Sequence, residues 1–223
     1  MDETNFEKLV VQIFAEKKRG KVLDAGAGVG RLSKELDGLG FEVSACDIDP
    51  KLFKEKSIQC VKVDLNKKLP YKNNSFDYIC ATEVIEHVNS PYNMIAEFNR
   101  VLKKNGHLIL STPNIGNIFS RIKFLVDGNF FLFGEKEQQS GHISPTPFWS
   151  LKRILQENGF GITRLTTNSY LKLSGKSDSR TRVKQLFSNF GYFVLSPILK
   201  PRSKILLKGD LLIIDSQKTR DGK

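Results

Sequence analysis

A chain of 223 residues, 39% hydrophobic and 26% charged, is long enough to bury one sizeable core and falls within the usual range of a single domain. With no internal repeat and no low-complexity tract, that composition argues against a disordered or fibrous chain. The net charge is +11 at pH 7, and between Lys172 and Lys208 nine Lys or Arg residues stand against Asp178 alone. Such a run suits an anionic partner (a membrane face, a phosphate-bearing substrate or nucleic acid) as readily as a merely solvated face.

The first residues, Met1-Asp2-Glu3-Thr4, carry neither the basic nor the apolar stretch of a secretory signal, so export is not expected. An uncharged stretch from Gln185 to Leu199 is interrupted by Ser188, Asn189, Gly191, Ser196 and Pro197. It falls short of the ~20 apolar residues that span a bilayer. Cys46, Cys60 and Cys80 form no CxxC pair and lie in apolar strand-like runs, where a thiol behaves as a small hydrophobe. A cytoplasmic location, with membrane association as an option, fits these features.

In chain order, Phe6, Leu9, Val10, Ile13 and Phe14 mark one apolar face of an N-terminal helix within residues 1–20. Short apolar runs at Lys21 to Ala25, Glu42 to Asp47, Gln59 to Asp64, Phe76 to Ala81 and Gly106 to Thr112 then read as strands. Between them, Arg31 to Leu39, a short segment after Pro50, Glu83 to Val88 and Pro91 to Lys104 read as crossover helices. Strands alternating with helices imply a parallel sheet covered on both faces. The expected fold is therefore α/β, Rossmann-like and doubly wound, with a mostly parallel seven-stranded sheet, helices on both faces and a late helical insertion.

The rest of the chain is less regular. Residues 114–146, with Phe130, Phe131 and Phe133 closed by Gly134, read as an insertion or acceptor lid after a cofactor-binding core at 21–113. Pro147 to Asn158 has a helix pattern, Ile162 to Leu173 a strand pattern, and Asp210 to Ser216 supplies the last strand. A basic, aromatic insertion at 174–208 separates those two strands.

The first strand runs directly into Asp24-Ala25-Gly26-Ala27-Gly28-Val29-Gly30. Glycines at a strand-to-helix turn let the backbone come close to a ligand, and open α/β sheets bind ligands at this carboxyl edge. The spacing G-x-G-x-G, after an acid inside the strand, disfavours a phosphate cradle of the G-x-G-x-x-G kind. Asp47 ends the second strand, where a carboxylate can accept both hydroxyls of a ribose. Asp64 ends the third and can accept from an exocyclic amine, with Leu65 and Ile48 on either side of the ring. Each acid alone reads equally well as a turn or cap residue; three at successive strand ends favour a nucleoside.

These residues, together with Phe76-Asp77-Tyr78-Ile79, resemble the glycine motif and following strands of class I S-adenosylmethionine-dependent methyltransferases, over about half the chain. The resemblance implies S-adenosylmethionine as cofactor and S-adenosylhomocysteine as product. It assigns Gly26 and Gly28 to the methionine and ribose, Asp47 to the ribose hydroxyls, Asp64 and Leu65 to adenine, and Thr82 with Glu83 to the site wall, while Asp24, inside the strand, can order the loop or face a cationic amino group of the cofactor. Thr82-Glu83-Val84-Ile85-Glu86-His87-Val88 and Ser111-Thr112-Pro113-Asn114 are similar to the subgroup containing ubiquinone-biosynthesis O-methyltransferases.

Methyl transfer from a sulfonium needs alignment and a base for the acceptor proton. His87, at the cofactor edge, and His142, in Ser140-Gly141-His142-Ile143, are the catalytic candidates. If Glu83 to His87 is helical, Glu83, Glu86 and His87 share a face that suits a divalent cation, and some quinone O-methyltransferases resembling this motif bind one; the reading here assigns no metal ligands. The expected acceptor is a hydroxyl of a small molecule, glycan or lipid-linked intermediate. Phe187, Phe190, Tyr192, Phe193, Val194 and Leu195 beside basic residues suit peripheral contact with an anionic membrane. Two rivals remain. Nucleic-acid methylation lacks the Asn/Asp-Pro-Pro-aromatic loop after the fourth strand, and a non-catalytic cofactor-binding protein would keep the same residues.

Overall fold

The computed structural model describes residues 3–168 and 205–222. The proposed interfacial stretch at Gln185 to Leu199, and most of the 174–208 insertion, lie outside these residues. The elements run α1 (Glu3–Ala15), β1 (Lys21–Ala25), α2 (Arg31–Gly38), β2 (Glu42–Asp47), β3 (Cys60–Lys62), β4 (Phe76–Thr82), α3 (Pro91–Val101), β5 (Leu102–Pro113), α4 (Ile118–Asp127), α5 (Glu135–Gln139), α6 (Phe148–Glu157), β6 (Phe160–Thr167) and β7 (Leu211–Lys218). Short 3-10 turns follow β2 at Pro50–Leu52 and β4 at Ile85–His87.

The strands form one seven-stranded sheet in the order β3-β2-β1-β4-β5-β7-β6. β1 to β5 are parallel, and β7 is antiparallel to both of its neighbours, β5 and β6. Five parallel strands bring all their carboxyl ends to one edge, and every connection carrying a candidate residue leaves from it.

One face of the sheet is covered by α1 and α2, which bury Phe6, Val10, Phe14, Leu32 and Leu36 against Val22, Cys80 and Ile213. The other is covered by α3 and α6 through Met94, Ile95, Phe98, Leu151 and Leu155 against Leu23, Ile79 and Leu108. Each fully buried Leu, Ile or Phe contributes about 1.5–3 kcal/mol. Phe14, Phe41 and Tyr78 add a mutual edge-to-face trio, with ring centroids 5.4, 5.6 and 5.8 Å apart. The late strand β7 is tied to the lead-in helix electrostatically. Asp215 accepts from Lys17 Nζ at 2.8 Å and pairs with His107 Nδ1 at 2.7 Å. Burial pushes the Asp215 carboxyl up, but His107 and Lys17 together hold it below the ordinary carboxylate value.

Several sequence expectations need correction. The helix expected at Glu83 to Val88 is only the 3-10 turn Ile85–His87, because Glu83 turns out of β4 at φ 52° with its N–H donated to Ser111 Oγ at 3.0 Å. Glu83 therefore does not share a helical face with Glu86 and His87. The Pro91 helix stops at Val101 rather than Lys104. The buried Lys218 ammonium takes the carbonyls of Asn99 and Leu102 at 2.9 and 3.0 Å, and Leu102 already pairs with Phe76 in the sheet. β3 is shorter than Gln59 to Asp64. β6 begins at Phe160 rather than Ile162 and ends at Thr167; residues 169–173 lie outside the described part. Inside 114–146, where the expected late helical insertion had no helix bounds, α4 forms: Asn117 caps it by accepting from Ser120 N at 2.7 Å, and Gly128 closes it at φ 74°.

Candidate active site

The turn after β1 is built by backbone geometry. Gly26 and Gly28 sit at φ 77° and 53°, and a Cβ on Gly26 would stand 2.4 Å from Val84 Cγ2. No other residue fits that position without moving Val84. The amides of Gly26 and Ala27 donate to Cys46 O at 2.8 and 3.1 Å, which ties the turn to the end of β2.

Asp47 completes the tie. Its Oδ2 accepts from Gly28 N at 2.8 Å and its Oδ1 from Asp49 N at 2.9 Å, so the carboxylate hangs over the glycine turn. Asp24 lies below the same turn, 1% exposed, where Ser33 Oγ donates to it at 2.5 Å. Burial pushes its pKa to about 6, despite that hydrogen bond, and the charge of Asp47 raises it further. Asp64 Oδ1 accepts from both nitrogens of Asn66, at 3.0 and 3.1 Å, and these bonds hold the carboxyl below its ordinary range.

Two cavities open beside the turn. The first, about 250 Å³, is lined by Gly26, Asp47, Ile48, Val63, Asp64, Leu65, Glu83 and His87, so acceptors stand at its rim and apolar side chains on its walls. The second, about 160 Å³, is lined by Asp24, Gly26, Gly28, Arg31, Thr82 and Glu83, with Phe6 and Glu7 of α1 across from them. Gly26 and Glu83 belong to both, so the cavities meet at that pair. Glu83 holds its positive φ there, a backbone state that costs about 1–3 kcal/mol and concentrates at functional sites.

His87 stands on the rim of the first cavity. Its Nδ1 is 3.1 Å from Gly141 O, and Nδ1 of His142 is 2.7 Å from Leu132 O. A carbonyl can only accept, so each Nδ1 carries a proton and the neutral form of each ring offers Nε2 as its acceptor. The two rings meet edge to face, centroids 4.7 Å apart. Burial and then the neighbouring His142 hold His87 below the ordinary histidine value. Ile143 N and Ser144 N donate to Glu86 O at 2.9 and 3.0 Å, which latches the loop bearing His142 onto the turn after β4.

In the sequence Glu86 reads only as a candidate cation ligand on a helical face with Glu83 and His87. Its side chain is fully buried, and neither carboxylate oxygen has a partner of good hydrogen-bond geometry among the described residues, the Thr112 hydroxyl offering its charged form only a weak contact. Burial, and secondarily Glu83, push its pKa to about 8. Ligand atoms of Glu86, His87 and His142 all lie within 4.8 Å of one another. Gly141, at φ 93°, was missed as a site residue: a Cβ there would come 3.2 Å from His87 Nδ1. The sequence places Glu86 beside His87, but nothing local signals that a loop 54 residues further on closes over both.

Comparison with known proteins agrees with this arrangement. Residues 2–165 match a family model described as a methyltransferase domain. An uncharacterized protein of Methanocaldococcus jannaschii is 29% identical over 80% of this chain and 82% of its own length. A ubiquinone biosynthesis O-methyltransferase of Xanthomonas oryzae is 38% identical over 42% of this chain; the chain spans 43% of that relative's length. Among solved structures, an S-adenosylmethionine-dependent methyltransferase from Archaeoglobus fulgidus superposes with a TM-score of 0.64 at 20% identity, over 95% of this chain and 94% of that one. A methyltransferase in complex with the Haloferax volcanii Trm112 activator gives 0.65 at 12% identity, over 99% and 92% of the two chains. At these identities the structural likeness speaks for the fold.

Proposed function

Because the chain belongs to the class I S-adenosylmethionine-dependent methyltransferases, we propose that it methylates a hydroxyl of a small-molecule, glycan or lipid-like acceptor, with His87 as the base. The observation that carries this reading is the meeting of the two cavities at Gly26 and Glu83, beside the paired imidazoles. The residues fit the cofactor in character: acceptors and apolar walls for a nucleoside in one cavity, a buried acid for an ammonium in the other.

In this reading Asp47 accepts from the ribose hydroxyls, and Asp64 takes the adenine amine between Ile48 and Leu65. Gly26 and Gly28 leave room for methionine and ribose, while Asp24, Thr82 and Glu83 wall the amino-acid end. When bound, the cofactor supplies a methyl group on a sulfonium, which needs no further activation. The protein has two tasks left, to align the acceptor oxygen and to remove its proton. His87 Nε2, kept neutral by burial and by His142, accepts that proton, and His142 is the second candidate. Residues 114–146 act as the acceptor lid over a cofactor core at 21–113.

A second reading rests on Glu86. A buried carboxylate with no well-formed hydrogen bond among the described residues, beside two imidazoles whose Nδ1–H groups are held by carbonyls, is a fit for a divalent cation, and two nitrogens with one oxygen suit zinc or a similar first-row ion better than magnesium. Glu86, His87 and His142 would hold the ion, which would lower the pKa of the acceptor hydroxyl as a Lewis acid.

Calorimetric titration with S-adenosylhomocysteine, wild type against Asp47→Ala, tests the principal reading. Micromolar binding that is lost in the variant is expected; a folded wild type that binds neither S-adenosylhomocysteine nor S-adenosylmethionine sinks it. Heat on titrating Zn²⁺ or Mg²⁺, abolished by Glu86→Gln, is the outcome that the second reading requires.

A further inference from the structure

Among the described residues ten large apolar side chains are exposed, and their distribution is uneven. All but Val61 lie in segments that leave the carboxyl ends of the parallel strands, the edge of the sheet on which the site is built. Four are packed into α4: Ile122 is 41% exposed, Phe124 46%, Leu125 84% and Val126 79%. A ten-residue helix in a folded protein ordinarily turns such residues inward. Here Phe124 stacks on Phe130, centroids 4.7 Å apart and planes 15° from parallel, extending the apolar surface into the adjoining loop. Trp149, 70% exposed, opens α6 at the same edge of the sheet. Exposed apolar surface concentrated in this way marks a binding face.

Charge selects the partner. The sequence from Lys172 to Lys208 holds nine cations against one acid, and its described end, residues 205–208, lies beside the start of α4. Ile118 N donates to Leu207 O at 3.3 Å, and Asn114 Nδ2 donates to the carbonyls of Leu206 and Lys208 at 3.0 and 2.7 Å. An apolar helix face on a chain whose sequence carries this excess of cations is the chemistry of an anionic lipid interface. A second copy would bring the same +11 charge to the contact and be repelled.

We propose that α4 is an interfacial anchor whose Ile122 to Val126 surface enters the headgroup region of an anionic bilayer and sets the mouth of the cavities against it. The docking stands by itself; that an acceptor is methylated at the bilayer rests on the methyltransfer reading.

The test is co-sedimentation of the full chain with vesicles of phosphatidylcholine alone or mixed with phosphatidylglycerol, for the wild type and for Leu125→Ser/Val126→Ser. Expected are binding to the anionic vesicles only, weakening with added salt, and a loss of at least about tenfold in the double variant, with S-adenosylhomocysteine binding unchanged. The proposal is overturned if the wild type stays in solution with anionic vesicles, or if the variant sediments like the wild type. It is equally overturned if the variant's melting temperature or its mass by light scattering changes, since the face would then be covered by this chain or by a second copy. Vesicle binding by a protein that fails to bind S-adenosylhomocysteine would remove the methyltransfer reading and leave the anchor in place.

Discussion

The glycine turn and the histidine corner face the same cavity but are built by opposite means. In the turn, recognition groups come from the backbone and from partners near in sequence, as with Gly28 and Asp47, 19 residues apart. In the corner, His87 meets a loop 54 residues away, and a buried carboxylate has no partner of good hydrogen-bond geometry among the described residues. A ligand common to a whole family can be held by a fixed frame of strand ends and amides. In the proposed reading the part that handles an acceptor draws on the 114–146 segment, where side chains can change without disturbing the sheet.

If that division is right, substitutions in the corner alter turnover and spare cofactor affinity. His87→Gln should lower kcat by about 10²–10⁴-fold, with the Kd for S-adenosylhomocysteine within about twofold. Equal losses in kcat and in affinity would erase the distinction. Next in size, Gly26→Ala drives a Cβ toward Val84 at a positive φ. Cofactor affinity should fall about 100-fold, close to 3 kcal/mol, and adding Val84→Ala should recover part of it, because only the steric share of the loss involves that side chain.

The turn should also betray itself by its pH response. Asp24 has a folded-state pKa of about 6, above its ordinary value, because burial disfavours its charge. With respect to this group the free protein is most stable below the ordinary carboxylate pKa and loses that stability as pH rises toward 6. Binding an ammonium requires the charged form. Affinity for the cofactor should therefore weaken about tenfold per pH unit below 6 and level off above it, and Asp24→Asn should flatten the profile. Calorimetry between pH 5 and 8 would show either shape.

The same division explains what the sequence made legible. Strand-end acids and the glycine spacing are local signals, so β1, β2 and the turn between β1 and α2 follow directly from the pattern. The turn after β4 misled because Glu83-Val84-Ile85-Glu86-His87 has good helical spacing, while Ser111 on a neighbouring strand takes the Glu83 amide and breaks the helix. The bounds of α4 stay hidden in the sequence because its face of Ile118, Phe119, Ile122, Leu125 and Val126 is spoiled by Phe124 on the opposite side, and it lies in a segment that reads only as an insertion. The pairing of His87 with His142 depends on a loop closure that no spacing encodes.

The smallest effect is the most discriminating. Gly141 sits at φ 93° with room for a Cβ only if His87 yields slightly, since the new atom would lie 3.2 Å from Nδ1. Gly141→Ala adds a backbone cost of about 1 kcal/mol and nudges one imidazole while leaving every group of the glycine turn untouched. A fall in kcat of several-fold, with cofactor affinity and the Asp24 pH profile unchanged, would place the function of this loop in holding His87. Loss of affinity instead would mean that the loop also shapes the cofactor cavity, and the two regions would have to be treated as one site.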